Sequence, residues 1–412
     1  MEVGFAEKDI TPDLTEDRPE GIGYPRPDTV HDPCKVRAVV FDDGNMRVAL
    51  IGCDVESMLR SVVLAAREDI QRRCGIPPDC VLMAGSHSHT AALASIVEPG
   101  LFDHASDLVK HLAYDLSACP SREYMDFVRR QITAAVVAAD RDKVEAVCCV
   151  GRGCEDSVTF NRRFRMKNGL TFTHPGKGNP DIAEIAGPID PEVGVVGAWD
   201  MDGRFLGCIV NFACHGTTNP GGISADWVYY LEQTIRGVMG RNAVVVFLTG
   251  ACGDVTQLDN LSCTPLEIGE KYARRVGQCV GAEALKVLVK AEPGELTPLA
   301  AQSEVFQVDR LVPNPERVKR SIEIARQDPA TVENKVEWNT AKKLVLLDAL
   351  VETQPQADVE VQAIQVGPVV FLANPAEFFA KSGMAIKEAS PFPFTFVVEM
   401  ANGCVGYTPP EK

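Results

Sequence analysis

The sequence predicts an α/β fold in which mixed β-sheets are layered with helices in a sandwich-like arrangement. Short apolar runs with the length of buried strands alternate with segments of helical spacing, and this alternation is typical of α/β folds. Hairpin-turn residues join neighbouring strands at Asp42-Asp43-Gly44-Asn45 and at Asp202-Gly203, so mixed rather than purely parallel sheets are expected. Because no linker or internal repeat is evident, residues 1–412 are predicted to form a single domain.

The predicted elements follow one another along the chain. After a strand-like opening that turns at Pro12, apolar runs predict strands at 35–41, 47–53, 81–84, 144–151, 193–201, 205–214, 243–248, 302–312, 359–365, 368–372 and 394–399. Helical spacing predicts helices at 61–74, 122–140, 226–239 and 268–289, and a mostly helical region at 315–350. Residues 13–30, 91–120 and 161–187 lack such patterns and are expected to be loops.

The charge of the chain argues against nucleic acid and anionic lipid surfaces as partners. The formal net charge is -16 and the pI is near 5.0, whereas nucleic acids and anionic lipid surfaces are bound by basic patches.

No run approaches the roughly 18 apolar residues of a membrane span, and the N-terminus shows neither the basic nor the apolar region of a signal peptide. A cytoplasmic protein is therefore expected, and a secreted chain whose leader has been removed is the alternative.

The cysteines point to a reducing compartment. The fourteen cysteines contain no C-x-x-C pair, and several of them, such as Cys53, Cys208 and Cys214, lie within apolar runs. Thiols in this setting are typical of reduced core residues. The oligomeric state is left open by the sequence.

Two of the seven histidines stand two residues apart directly after a predicted strand. The apolar run 81–84 ends at Gly85, and His87 and His89 follow in the motif G-S-H-S-H-T. In an extended chain, residues i and i+2 lie on the same face, about 6.5 Å apart at a rise of roughly 3.3 Å per residue. The pair therefore predicts the centre of a metal site.

Three other predicted strands end near a residue that can bind a metal. His215 closes the run I-V-N-F-A-C-H-G-T, Glu377 follows V-V-F-L-A-N-P-A-E, and Tyr407 follows the last strand. Ligands of open α/β sheets bind outside the carboxyl ends of strands. Zinc accepts imidazole nitrogen and carboxylate oxygen, and it favours a phenolate oxygen by lowering the phenol pKa. The expected Zn²⁺ ligands are His87, His215, Glu377 and Tyr407.

Each of these residues also has a purely structural alternative. A histidine at a strand end is most often simply hydrogen-bonded, and Tyr407 could be a packed aromatic residue. Glu377 stands three residues after Asn374, with Pro375 directly after that asparagine, which is the spacing of a helical capping box. On spacing alone, the capping box is favoured over metal binding for Glu377.

Two further segments are candidates for binding negative charge. Residues 249–256 read T-G-A-C-G-D-V-T, and a glycine-rich turn can cradle an anion with its N–H groups. This turn lacks the lysine of a P-loop, and a simple tight turn is the alternative. Arg162 could stabilise developing negative charge, with a solvated loop arginine as its alternative.

Eight short motifs occur along the chain in an informative order. They are G-F-A-E-K-D-I-T-P, H-D-P-C-K-V-R-A, G-S-H-S-H-T, N-R-R-F-R-M-K-N-G, N-F-A-C-H-G-T, G-D-V-T, N-P-A-E-F and N-G-C-V-G-Y-T-P. In this order they resemble the neutral/alkaline non-lysosomal ceramidase family. The resemblance extends from Val3 to Pro410, which is essentially the whole chain.

The resemblance implies a zinc-dependent amidase with a sandwich-like catalytic domain and the four metal ligands named above. It also implies that His89 and Arg162 contact the substrate carbonyl and its oxyanion. The family's G-D-V-S segment carries a serine proposed to take part in catalysis, and Thr256 takes that place here. Metal-activated water needs no protein nucleophile, and a neighbouring carboxylate such as Asp254 is a candidate for moving protons.

The expected substrate is an N-acyl amide, either ceramide or a smaller soluble amide. Family ceramidases are secreted or surface enzymes with a C-terminal immunoglobulin-like domain, whereas this chain shows no leader and stops at Lys412. No immunoglobulin-like domain is therefore expected, and a further family tyrosine would lie beyond the stop. The apolar stretch from Ala91 to Phe102 is expected either to form a rim for lipid chains or to belong to the core.

Two other functions stay open at this stage. A metal-dependent phosphohydrolase or esterase would hold phosphate with the turn at 249–256 and with Arg162-Arg163, and would prefer two metals. A non-catalytic zinc-containing homologue would bind an amide or sugar ligand without turning it over.

Overall fold

The structure, a computed structural model, describes residues 1–14, 27–91 and 97–410. Its strands are β1 (Glu2–Asp9), β2 (Lys35–Asp42), β3 (Arg47–Cys53), β4 (Val81–Gly85), β5 (Val144–Cys154), β6 (Phe160–Asn161), β7 (Arg163–Met166), β8 (Thr171–Thr173), β9 (Ile182–Ile185), β10 (Glu192–Asp200), β11 (Phe205–Phe212), β12 (Val244–Thr249), β13 (Val255–Thr256), β14 (Leu299–Asp309), β15 (Gln356–Val366), β16 (Val369–Ala373), β17 (Ala376–Phe378), β18 (Phe394–Val398) and β19 (Gly406–Thr408). Its helices are α1 (Arg60–Cys74), α2 (Asp107–Lys110), α3 (Arg122–Arg141), α4 (Trp227–Met239), α5 (Glu270–Lys290), α6 (Pro315–Ala325), α7 (Lys335–Thr353) and α8 (Ala380–Ala389). A π-helical turn at His111–Asp115 follows α2.

Eight strands form the main sheet in the order β12-β11-β10-β5-β1-β2-β3-β4. The pairs β3–β4 and β11–β12 are parallel, and the other neighbours are antiparallel. A helix connects the strands of each parallel pair, so the sheet consists of two units with the same order, β1-β2-β3-α1-β4 and β5-β10-β11-α4-β12. The sheet is mixed, as the hairpin turns predict, and its two units share the same topology.

The two units of the main sheet pack face to face. Gly52 of β3 lies so close to β12 that an added Cβ would be 2.3 Å from the carbonyl oxygen of Phe247. Leu50 of β3 shares one hydrophobic core with Val246 and Leu248 of β12. Burying each such aliphatic side chain contributes about 1.5–3 kcal/mol, so this core holds the two units together.

Helices cover the outer faces of the sheet and complete the layers. Helix α3 packs on β1, β2 and α1, while α5 packs on β5, β10 and α4. The predicted α/β class, with mixed sheets layered with helices, is confirmed. No separate immunoglobulin-like domain is found in the part of the chain that the structure describes.

A second sheet, in the order β14-β15-β16-β18, packs against the main sheet near the carboxyl ends of β4 and β12. The side-chain amide of Asn211 in β11 donates to one carbonyl oxygen in β12 and one in β18, both at 2.9 Å. Oγ1 of Thr249 donates to the carbonyl oxygen of Gly85 at 2.9 Å, and the N–H of Glu399 donates to the carbonyl oxygen of Thr249 at 3.0 Å. The carboxyl ends of β4, β12 and β18 therefore meet at one place.

The structure departs from the sequence predictions mainly in segments expected to be loops. The region 161–187 contains a three-stranded sheet, β8-β7-β9, and α2 with its π-helical turn lies within 91–120. These strands have three or four residues, which is too short for an alternating pattern to be recognised. Parts of the predicted loops, 15–26 and 92–96, lie outside the described residues.

Glu360 of β15 ties α1 to the second sheet. Its side chain is buried and accepts hydrogen bonds from Nη1 of Arg67 at 3.0 Å and Nη1 of Arg60 at 2.9 Å. Burial alone would raise the pKa of Glu360, but the hydrogen bonds from Arg67 and Arg60 lower it below its ordinary value of 4.5. Such a carboxyl stabilises the fold above its unfolded-state pKa, and this contribution is lost as the pH falls through the folded-state pKa.

We expect Glu360→Gln to lower the free energy of unfolding by about 3 kcal/mol at neutral pH, because two guanidinium groups lose their partner. The difference from the wild type should shrink as the pH falls below about 4.5, where the carboxyl of the unfolded chain begins to bind a proton, and it should be lost below the folded-state pKa. Urea unfolding of both proteins across this pH range measures the difference, with the exposed Glu352→Gln as a control. A difference that stays constant with pH would contradict the ion-pair explanation.

Candidate metal centre

His87 lies just after β4, in a backbone conformation that is uncommon for histidine. Its φ is 60°, in the left-handed region that residues other than glycine adopt mostly at constrained positions. The N–H of His87 donates to the carbonyl oxygen of Val55 at 3.0 Å, and its own carbonyl oxygen accepts from Gly216 at 3.2 Å. Nδ1 donates to the carbonyl oxygen of Glu56 at 2.8 Å. Because that oxygen can only accept, Nδ1 carries a proton, and the lone pair of the neutral ring lies on Nε2.

The carboxylate of Glu377 brings two histidines together. Its Oε2 lies 3.3 Å from Nε2 of His87 and 3.4 Å from Nε2 of His215. The centroids of the two imidazole rings are 4.3 Å apart, and all three residues are buried. His215 comes directly after the segment that continues β11, so two strand ends and β17 supply the three side chains.

Glu377 does not lie at a helix start. It is the central residue of β17, and α8 begins at Ala380. The side-chain oxygen of Asn374 accepts from the N–H of Ala376 at 3.0 Å, which is the bond of a local Asx turn. The capping-box alternative is therefore wrong, and the carboxylate of Glu377 is directed to the histidines instead.

Tyr407 lies beside Glu377 in a short pair of parallel strands. Strands β17 and β19 pair so that Glu377 is opposite Tyr407, and the hydroxyl oxygen of Tyr407 is 3.1 Å from Nη2 of Arg162. The residue is 51% exposed, so the alternative of a packed core aromatic does not apply. The structure thus brings the four expected ligand residues to one place.

The separations in this cluster fit a tetrahedral zinc ion. Zinc binds imidazole nitrogen and carboxylate oxygen at about 2.0–2.2 Å, so neighbouring ligand atoms lie roughly 3.3–3.6 Å apart. The observed separations from Oε2 of Glu377 are 3.3 Å and 3.4 Å. Nε2 of His87 and Oε2 of Glu377 are buried without a hydrogen-bond partner among the described residues. Ligand atoms of His87, His89 and His215 all lie within 4.8 Å of one another, which also suits a metal ion.

The charges of the cluster are strongly coupled. Burial alone would lower the pKa of His87, but Glu377 and neighbouring carboxylates raise it to about 9. Burial, Arg162 and His87 lower the pKa of His215 to about 3. Burial would raise the pKa of Glu377, but the nearby imidazoles of His215 and His87 hold it well below its usual range. A cation would therefore compete with the proton that His87 binds beside Glu377.

Arg162 lies against the same cluster. Its Nη2 is 3.1 Å from Nε2 of His215 and 3.1 Å from the hydroxyl oxygen of Tyr407. The same nitrogen donates to the carbonyl oxygen of Gly253 at 2.7 Å. A guanidinium fixed in this way can donate to negative charge that develops beside the histidines, and the alternative of a freely solvated arginine does not apply.

His89 lies next to the cluster. The centroid of its ring is 4.8 Å from that of His87 and 5.7 Å from that of His215, and its Nδ1 is 3.6 Å from Oε1 of Glu56. Burial, followed by the charges of His87 and His215, lowers the pKa of His89 well below its ordinary 6.5. The N–H of His89 donates to the carbonyl oxygen of Gly216 at 2.8 Å, which holds it close to the segment of His215.

The turn after β12 is tightly packed. The N–H of Gly253 donates to the carbonyl oxygen of Phe378 at 2.7 Å, and that of Gly250 donates to the carbonyl oxygen of Phe212 at 2.9 Å. A Cβ on Gly253 would lie 2.6 Å from the carbonyl oxygen of Glu377. These glycines let the turn approach β17, which favours the tight-turn alternative over an anion cradle.

Asp254 and Thr256 lie in and just after this turn. The two carboxylate oxygens of Asp254 accept hydrogen bonds from Nδ2 of Asn161 and from the N–H of Ala380, each at 2.8 Å. Oγ1 of Thr256 donates to Oε1 of Gln257 at 2.7 Å. Asp254 thus holds the start of α8 beside the site, and the catalytic roles expected of both residues stay predictions.

Two carboxylic acids at the site lie outside the set expected from the sequence. Glu56 contacts His87 and His89, and Glu399 follows β18, where it accepts a hydrogen bond from Sγ of Cys252 at 2.9 Å. Burial raises the pKa of Glu56 to about 7 and that of Glu399 to about 8. The sequence signal that could have identified Glu399 is its position directly after an apolar strand, whereas Glu56 is separated from the end of β3 by Asp54 and Val55.

The part of the expected lipid rim that the structure describes belongs largely to the core. Val97 and Phe102 are 5% and 2% exposed and pack in one cluster with Trp338 and Val345 of α7. This favours the core alternative for these two residues, and positions 92–96 lie outside the described residues. Among the described residues, no helix has the length and apolar character needed to cross a bilayer.

Comparison with known proteins finds similarity at the level of structure. No protein-family model and no curated protein sequence matches the chain. The crystal structure of neutral ceramidase from Pseudomonas aeruginosa aligns with a TM-score of 0.73 at 19% identity, over 99% of this chain and 68% of that chain. A ceramidase complexed with C2 aligns with a TM-score of 0.71 at 19% identity, over 99% of this chain and 69% of that chain. The chain therefore has a ceramidase-like fold.

Proposed function

We propose that this protein is a single-domain, zinc-dependent hydrolase that cleaves the linear amide bond of an N-acyl compound. The proposal rests on one observation, that His87, His215 and Glu377 lie together at separations that suit one zinc ion. The similarity of the fold to that of neutral ceramidases supports the same assignment. The proposed substrate is therefore an N-acyl amide, either ceramide itself or a smaller soluble amide.

The residues of the cluster have distinct roles in this proposal. The zinc ligands are His87, His215, Glu377 and Tyr407. When bound, zinc supplies polarisation of the scissile carbonyl and lowers the pKa of a water molecule. Arg162 donates to the carbonyl oxygen as it gains negative charge, and His89 lies beside the reacting carbonyl.

Removal of the metal is the experiment that tests the proposal. We expect dialysis against a chelator to lower amide hydrolysis by about 10³-fold or more, since a bound metal supplies several kcal/mol of transition-state stabilisation. Zinc should restore the activity and magnesium should not, because imidazole ligands suit zinc whereas magnesium prefers oxygen. Mass spectrometry of the products from N-acyl sphingosines and short soluble amides measures both the rate and the substrate class.

The same assay separates the other candidate functions. Phosphate esters are included as substrates, and their turnover with two bound metals would favour the phosphohydrolase alternative. Bound zinc with no turnover across the amide panel would favour a non-catalytic homologue. Full amide hydrolysis by the metal-free protein would refute the proposal.

Replacing Thr256 tests whether a protein nucleophile takes part. We expect Thr256→Val to lower kcat by less than about tenfold, because metal-activated water needs no hydroxyl nucleophile and Oγ1 of Thr256 donates to Gln257. Thr217→Val is the matched control, since Oγ1 of Thr217 is 3.0 Å from Oγ1 of Thr256. A loss of about 10³-fold or more in Thr256→Val alone would assign Thr256 as a nucleophile.

A cytoplasmic location is part of the proposal. All fourteen cysteines are free thiols, and Cys53, Cys208 and Cys214 are buried in the core as predicted. Reduced thiols in this number fit a reducing compartment. Fractionation of cells that express the protein measures where it resides.

A further inference from the structure

Glu56 contacts both histidines of the motif G-S-H-S-H-T, through different atoms. Its carbonyl oxygen accepts from Nδ1 of His87 at 2.8 Å. Its carboxylate Oε1 lies 3.6 Å from Nδ1 of His89, which is an ion-pair separation that has to shorten slightly to become a hydrogen bond. One residue thus faces the same ring atom, Nδ1, in both histidines.

The main chain determines where Glu56 lies. Beyond the parallel strands β3 and β4, the N–H of Ser86 donates to the carbonyl oxygen of Cys53 at 2.8 Å, and the N–H of His87 donates to the carbonyl oxygen of Val55 at 3.0 Å. The segment of Glu56 therefore continues the pairing with the histidine segment. Because this register comes from the backbone, changes to the Glu56 side chain should leave it intact.

We propose that Glu56 is a positioning residue that places a proton on Nδ1 of both histidines and the reactive lone pair on Nε2. The inference rests on the proposed function and refines the roles within that site. An acceptor at one ring nitrogen of histidine determines which nitrogen keeps the lone pair. For His87, Nε2 is then the metal ligand. For His89, Nε2 is a proton acceptor, so the hydrogen bond to the oxyanion comes from Arg162.

The proton transfers of the reaction follow from this assignment. Water adds its oxygen to the carbonyl carbon while Nε2 of His89 takes one water proton, and the carbonyl π electrons become the oxyanion that Arg162 binds. When the C–N bond breaks, its electron pair stays on nitrogen, which receives the proton from His89. The products are the carboxylic acid and the amine, and His89 returns to its starting tautomer, which Glu56 holds.

Two substitutions separate the hydrogen-bond acceptor from the negative charge. Glu56→Ala removes the carboxylate, whereas Glu56→Gln keeps an acceptor oxygen without the charge. Both keep the carbonyl oxygen that binds His87, and the Glu56 side chain is 25% exposed, so the fold should tolerate either change. The exposed Glu123→Ala on α3 is the control for loss of a carboxylate elsewhere.

The tautomer is measured by ¹⁵N NMR of the histidine rings in the metal-free protein, with neither zinc nor substrate needed. We expect His89 to carry its proton on Nδ1 in the wild type and in Glu56→Gln, and to lose this single tautomer in Glu56→Ala. Nδ1 of His87 should stay protonated in all three proteins. A wild-type His89 protonated on Nε2, or an unchanged His89 in Glu56→Ala, would overturn the proposal.

Kinetics of the zinc-loaded protein give the second measurement. We expect Glu56→Ala to lower kcat by about 10²-fold with KM unchanged, as for loss of an oriented general base, and Glu56→Gln to retain most of the activity. Equal losses in both variants would point to charge rather than orientation and would contradict the proposal. If the wild type hydrolyses no amide, the proposed function fails, and the NMR comparison still decides the role of Glu56.

Discussion

Replacing His87 by alanine should remove bound zinc and lower amide hydrolysis by about 10³-fold or more. Nε2 of His87 lies 3.3 Å from Oε2 of Glu377, and its loss leaves that carboxylate with His215 as the one remaining imidazole partner at this distance. Zinc content measured on the purified variant, together with its rate of hydrolysis, checks the expectation.

Two further variants control for effects on the fold. His87 has a φ of 60°, which asparagine tolerates better than alanine does, so His87→Asn removes the imidazole at a lower conformational cost. His111→Ala removes an exposed imidazole that bonds Asp115 at 2.7 Å and should leave zinc content and rate unchanged. Wild-type zinc content and full activity in both His87 variants would show that the metal centre is misassigned.

Replacing Arg162 by alanine should lower kcat by about 10²–10³-fold while the zinc content is kept, as for removal of one oxyanion donor. Nη2 of Arg162 is held by the carbonyl oxygen of Gly253 at 2.7 Å and lies 3.1 Å from Nε2 of His215. The guanidinium is therefore fixed beside the histidine cluster. Measurements of kcat, KM and bound zinc separate this role from metal binding.

The next residue in the chain supplies a matched control. The guanidinium of Arg163 lies 4.9 Å from the centre of the Phe379 ring, so Arg163→Ala removes a neighbouring positive charge with a different contact. We expect its kcat to stay within about threefold of the wild type, as for most substitutions that leave the reacting groups in place. Similar losses in both arginine variants would contradict a specific role for Arg162, and loss of zinc in Arg162→Ala would assign it a structural role instead.

Much of the site could be predicted because its residues follow strands that are easy to recognise. The strands β4, β11, β16 and β18 are almost continuously buried, and a residue able to bind a metal that follows such a run stands out. This pattern identified the residues that the structure gathers, namely His87, His215, Glu377 and Tyr407. The hairpin turns likewise predicted the antiparallel pairs β2–β3 and β10–β11.

Other features depend on contacts that no local pattern contains. The spacing N-P-A-E satisfies a capping box, yet Glu377 lies in a strand because β17 pairs with β19 from the end of the chain. Glu56 becomes part of the site through the register of β3 and β4, and Glu399 through the approach of β18 to β12. These contacts form only when the two units of the main sheet and the second sheet pack together, so they cannot be inferred from the spacing of residues in the sequence.

The residues gathered at the site come from the first, middle and last parts of the chain. During translation, the segment of His87 leaves the ribosome first, that of His215 follows, and those of Glu377 and Tyr407 come considerably later. A nascent chain can therefore contain β3 and β12, which pack on each other, before the acid and the phenol have been made. Capture of a metal ion by the full proposed ligand set would therefore have to wait until all four of these segments have been synthesised.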